Sequence, residues 1–96
     1  MAEESKLEEF FVKAVAAAGG RAIKFRSPGN NGVPDRLVFC PDGKIRFVEL
    51  KAPKRSLRKL QEKWKGVIEG YGHDHFKIDE VPQIEDFITS WGCISE

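Results

Sequence analysis

The sequence predicts a small α/β domain in which helices flank a mixed sheet. Three observations carry that expectation. Apolar residues recur at helical spacing near each end and once in the middle of the chain, and short β-branched and aromatic runs lie between them. The last of those runs is reached only across a helix, so its pairing with the strand before that helix should be parallel, through a right-handed crossover. The predicted order is helix, strand, strand, strand, helix, strand, helix.

Ser5 to Ala18 places Leu7, Phe10, Phe11, Ala14, Val15 and Ala18 three and four residues apart, and Gly19 with Gly20 ends that helix. "AIKF" (Ala22 to Phe25) is a short strand, and "SPGNNGVP" is rich enough in turn formers to be a loop. Strands follow at Asp35 to Cys40 and Ile45 to Leu50. Ser56 to Tyr71 forms a second helix with Leu57, Leu60, Trp64, Val67, Ile68 and Tyr71 on one side. "HFKI" is the fourth strand, and Pro82 to Trp91 a third helix with proline in its first turn.

The chain has 96 residues, enough for one core and hence a single domain spanning residues 1–96. Hydrophobic residues at 41% and charged residues at 32% are globular values that exclude wholesale disorder, and a net charge of +1 leaves nucleic-acid affinity to local clustering. Cys40 and Cys93 form no CxxC pair, which argues against a zinc knuckle or disulfide framework. The acidic start "MAEESKLEE" and the lack of a long apolar run predict a cytoplasmic protein with no membrane attachment.

"CPDGK" favours a three-residue hairpin loop, Pro41-Asp42-Gly43, closed by glycine at positive φ. Cys40 then faces Lys44, Phe39 faces Ile45, Leu37 faces Phe47, and Asp35 faces Glu49. The first of these steps from the turn suit a buried apolar face. The last sets two carboxylates side by side, with Lys51 pointing the same way. A two-residue Asp42-Gly43 turn would instead shift the register and send the acids to opposite faces. Opposed like charges destabilise a sheet, so a shared proton, a nearby cation such as Lys51, or a bound divalent metal must compensate.

Two more polar residues interrupt apolar stripes. Glu8 shares a flank with Phe11, Val12 and Val15, where it either closes a capping box with Ser5 or faces inward for a chemical reason. Gln61 lies between Leu57, Trp64 and Ile68, where it either bonds backbone or reaches the acids. "GHDH" (His73, Asp74, His75) invites a metal reading, but no further ligand stands nearby at a recognisable spacing, and a turn explains it as well.

With "GVPDRLVF", "FVELK" and a helical glutamine ten residues after Lys51 in place, the chain resembles the PD-(D/E)XK nucleases, and within them the free-standing VRR-NUC (virus-type replication-repair nuclease) domains. The likeness runs from "ESKLEEFFVKAV" through "GGRAIKF" to the helix containing Gln61. It implies a restriction-endonuclease-like core and hydrolysis of DNA phosphodiester bonds with Mg2+ or Mn2+, without an organic cofactor. Carried to matching positions, Asp35 and Glu49 become metal ligands with the Leu50 carbonyl. Lys51 becomes the catalytic lysine, Gln61 the active-site glutamine, and Glu8 an acid acting directly or through water.

No motif position is replaced, which implies a live enzyme. A resolvase-like substrate, branched or structured DNA, follows from the same resemblance, and one active site per small chain with two strands to cut predicts a homodimer. The alternatives are a non-catalytic DNA-binding module and a sequence-specific restriction-type endonuclease. From Lys51 to Lys65, seven lysines or arginines stand against Glu62 alone. Lys54, Arg55, Arg58 and Lys59 are therefore candidate phosphate contacts, or else a solvated helix face. Lys24, Arg26, Ser27, Asn30 and Asn31 border the glycine-rich loop, which either closes over a strand of nucleic acid or is only a turn.

Overall fold

The structure, a computed structural model, describes residues 2–91, with side chains from residue 5 onward. Cys93 lies outside those residues. The elements run α1 (Ala2–Ala17), β1 (Arg21–Lys24), β2 (Arg36–Phe39), β3 (Ile45–Leu50), α2 (Lys59–Gly70), β4 (His75–Ile78) and α3 (Val81–Thr89), the predicted order. One sheet contains all four strands in the order β1-β2-β3-β4. The first two pairings are antiparallel, and β3 with β4 is parallel, as a crossover through α2 requires.

The hairpin adopts the three-residue loop. Gly43 N–H donates to the Cys40 carbonyl at 2.9 Å, Cys40 N–H donates to the Lys44 carbonyl at 2.9 Å, and Gly43 has φ +88°. The β2–β3 register pairs Phe39 with Ile45, Leu37 with Phe47 and Arg36 with Val48. One step further brings Asp35 opposite Glu49.

The face carrying the acids is not the deeply buried one. Val38, Val48 and Leu50 point to the opposite face, where they join Leu7, Phe11 and Val15 of α1 and Ile84 and Phe87 of α3 in the core. On the acid face Phe39 and Ile45 remain 43% and 45% exposed. On that side Phe25 and His73 pack against Phe47, and the reach of α2 to Glu49 and Lys51 places that helix at the acid end of the sheet. For the same reason Ile68 is the one buried residue of α2, while Leu60 and Tyr71, expected to face inward, are 49% and 81% exposed.

The third helix starts one residue before the expected Pro82, and the first two starts differ by three residues each. The first helix begins at Ala2, which puts Ser5 inside it and removes the proposed Ser5–Glu8 capping box. The second begins at Lys59 because Arg58 is extended, φ −77° and ψ 168°, and its N–H donates to the Gln61 side chain at 2.7 Å. Among the described residues, no helix is long and apolar enough to cross a membrane.

Candidate active site

Asp35 enters the sheet behind a fully buried Pro34, and its carbonyl accepts the Phe25 N–H at 2.9 Å. Its Oδ1 accepts the Leu50 N–H at 3.1 Å, a link across the hairpin between residues fifteen apart. Burial pushes the Asp35 carboxyl up to about 6; the Leu50 N–H and the Arg36 charge oppose that rise, and the Glu8 charge adds to it.

Glu49 is buried, and its Oε2 accepts from Gln61 Nε2 at 3.0 Å. The Gln61 Oε1 accepts from Lys51 Nζ at 3.3 Å as well as from the Arg58 N–H. Both readings of Gln61 therefore hold. It caps α2, and it joins the acid to the lysine. That double engagement explains a polar residue where leucine would pack better, because both ends of the amide are used.

Glu8 reaches the site from α1. Its Oε2 lies 3.7 Å from the Arg36 guanidinium, whose side chain is 9% exposed, and its charge is near enough to act on Asp35. Among the described residues no three His, Cys, Asp or Glu side chains form a group able to hold a metal ion. The hairpin register sets Asp35 opposite Glu49, and Glu8 lies against Arg36. Two carboxylates and a backbone carbonyl fit a hard cation that retains several waters, as magnesium does. They do not make a closed protein cage. "GHDH" is otherwise occupied: Asp74 lies 3.8 Å from the buried Arg46, and His75 is buried with its pKa lowered, chiefly by desolvation.

Lys54, Arg55, Arg58 and Lys59 are all exposed, along the segment between Lys51 and the first turn of α2. Phe25, Arg26, Ser27, Asn30, Asn31 and Asp35 line a cleft of about 470 Å³. Ser27 and Asn30 are engaged with one another: Asn30 Nδ2 donates to Ser27 Oγ at 2.8 Å, and the Asn30 N–H to the Ser27 carbonyl at 2.9 Å. These two side chains hold the turn; Lys24, Arg26 and Asn31 face solvent. The loop also docks on α2, since a Cβ on Gly32 would fall 2.6 Å from the Leu60 carbonyl carbon.

Two polar residues beside the site are not signalled by the sequence. Lys77 is the β4 partner of Glu49, and Asp79 follows at the strand's end, 6% exposed. Their neighbours are set by a parallel register, and a crossover of this length leaves no local turn from which to read it.

No family model matches the chain. A curated relative, "Putative nuclease p44" of Acyrthosiphon pisum secondary endosymbiont phage 1, is 43% identical over 76 residues, which are 79% of this chain and 82% of the relative. A solved structure described as "VRR_NUC domain" superposes with a TM-score of 0.84 at 26% identity, over 91% of this chain and 95% of the other. The extent of both similarities, over a fold of the same topology, makes the chain a member of the VRR-NUC nuclease family.

Proposed function

We propose that the protein is a metal-dependent endonuclease that hydrolyses phosphodiester bonds in branched or structured DNA. The observation that carries this reading is the chain of contacts from Glu49 through Gln61 to Lys51, with Asp35 opposite Glu49 and partly desolvated. It joins an acid of that pair to a lysine through a single glutamine side chain.

Asp35, Glu49 and the Leu50 carbonyl are the residues to hold Mg2+ or Mn2+, with Glu8 behind them directly or through water. When bound, the cation supplies charge to the phosphate and acidity to water. Lys51 presents its ammonium to the charge that grows on the phosphate or to the attacking nucleophile. Gln61 holds that ammonium and the Glu49 carboxylate in one geometry, so neither must reorganise when substrate arrives. Exposed cations from Lys54 to Lys59, with Lys24 and with Arg26 at the cleft, suit a phosphate backbone and carry no base code.

One site per chain and two strands to cut favour a two-fold dimer. Purified protein incubated with four-way, three-way, flap and linear DNA, with Mg2+, Mn2+ or chelator, tests the reading. Metal-dependent cuts at branch points are expected. Binding without products would leave a non-catalytic DNA module, and discrete plasmid bands would point to a restriction-type enzyme.

A further inference from the structure

We propose that Asp79 is a positioning residue that clamps the turn after Lys51 and thereby fixes Lys54 as a phosphate contact. The inference rests on the DNA-cleaving reading above and adds the device that orients the basic segment.

Asp79 is 6% exposed, and its Oδ2 accepts the backbone N–H of Lys54 at 3.1 Å across a separation of 25 residues. The Lys77 ammonium lies 3.6 Å from the same oxygen. Asp79 is itself held, because its N–H donates to Gln83 Oε1 at 2.6 Å. Lys54 is the one non-glycine residue among those described with positive φ, at 64°. An L-residue is strained there and persists only where its surroundings determine the conformation. The buried carboxylate is such a surrounding, and a bond from a neutral N–H to a charged acceptor is among the stronger kinds.

Lys51 is tied to the same corner, its N–H donating to the Ile78 carbonyl at 2.9 Å. Lys51 and Lys54 are therefore both referenced to the end of β4. The turn between them is closed by the Arg55 N–H on the Ala52 carbonyl at 3.1 Å, and Lys54 itself is exposed. A carboxylate that only needed burial would have no reason to select the amide of a strained lysine beside a catalytic one. An acid placed there to orient the lysine does.

The test is a double-mutant cycle on Asp79→Ala and Lys54→Gly, read as binding of a labelled four-way junction against salt, as KM and kcat, and as hydrogen exchange at residue 54. Glycine tolerates the left-handed turn and removes the whole side chain, the ammonium with it. Asp79→Ala should release the residue 54 amide to exchange, lower affinity about three- to tenfold, and reduce the salt slope by about 1. KM should rise more than kcat falls. The double variant should bind no worse than Lys54→Gly, and Asp79→Asn, which keeps an acceptor, should restore most of the affinity.

A folded Asp79→Ala protein with an unchanged salt slope, or strict additivity of the two changes, overturns the clamp. If Asp79→Ala does not fold, Lys54→Gly against Lys54→Ala decides. A held left-handed turn makes the glycine variant the more stable, and equal midpoints reject it. Wild-type protein that binds no DNA would bring down the DNA-cleaving reading, whereas the exchange measurement still judges the clamp by itself.

Discussion

Gln61 bonds Glu49 at 3.0 Å through its amide nitrogen, and the other end of the same amide accepts from Lys51. An amide offers donors at one end and an acceptor at the other. Gln61→Leu keeps the helical spacing and removes both bonds, so cleavage should fall about 10- to 100-fold, the range for groups that orient ligands. Gln61→Glu sets a third carboxylate against Glu49 and should be at least as inactive. Single-turnover rates on one junction substrate compare the two. Equal rates for wild type and Gln61→Leu would assign the glutamine to capping alone.

Lys51→Ala leaves the strand's backbone bond to Ile78 in place, because that bond uses only the main chain. The fold should therefore survive while cleavage falls by about 100- to 1000-fold, as when one charge-stabilising donor is removed. Glu49→Ala and Asp35→Ala should be as inactive. Circular dichroism alongside the rate separates a missing group from a missing fold, and full activity in Lys51→Ala would remove the lysine from the site.

Gly32 couples the glycine-rich loop to α2. It combines φ +97° with a would-be Cβ 2.6 Å from Leu60 backbone, so Gly32→Ala meets both torsional strain and a clash that cannot flex away. A loss of roughly 2 to 4 kcal/mol in urea unfolding is expected, with the loop displaced from the cleft that holds Asp35. Gly29, at φ +84° with nothing near its would-be Cβ, is the control: alanine there meets strain alone and should lose less.

The acid end of the hairpin is legible in the sequence because a local turn, Pro41-Asp42-Gly43, sets the β2–β3 register, and that register extends to Asp35 and Glu49. The parallel β3–β4 pairing follows from the crossover, but its register does not, so nothing in the sequence places Lys77 and Asp79 beside Glu49 and Lys51. The deeper face is hidden for a related reason. Leu37, Phe39, Ile45 and Phe47 are as apolar as Val38, Val48 and Leu50, and only the placement of α1 and α3 decides between the faces. Ser5–Glu8 misleads because a capping box is defined by where a helix begins, and α1 begins three residues earlier, at Ala2.

Arg58 and Lys59 are exposed at the start of α2. Each alanine replacement should weaken binding of junction and linear DNA alike and reduce the salt slope by about 1 for every phosphate no longer neutralised. Arg58→Ala keeps the N–H that Gln61 accepts, so its effect on the rate at saturating DNA should be small beside its effect on affinity. Anisotropy titrations over a salt series measure it. An unchanged slope would make these residues a solvated face.

The Asp35 carboxyl, raised to about 6 mainly by burial, links stability to pH. Its folded value lies above the ordinary aspartate value of 3.8, so the folded state favours the proton. That contribution is complete below about pH 4 and is lost as pH rises through about 6, a loss of roughly 3 kcal/mol by neutrality. Asp35→Asn should thus raise the urea midpoint at pH 7 and gain little at pH 4, while ending cleavage. A divalent cation relieves the same frustration. Mg2+ or Mn2+ should therefore raise the wild-type melting temperature more than that of Asp35→Asn, and chelator should reverse the gain. Cleavage should climb with pH through the same interval as the ligand ionises. If Asp35→Asn is destabilised at pH 7, or if metal stabilises both proteins equally, Asp35 is neither the frustrated acid nor the ligand.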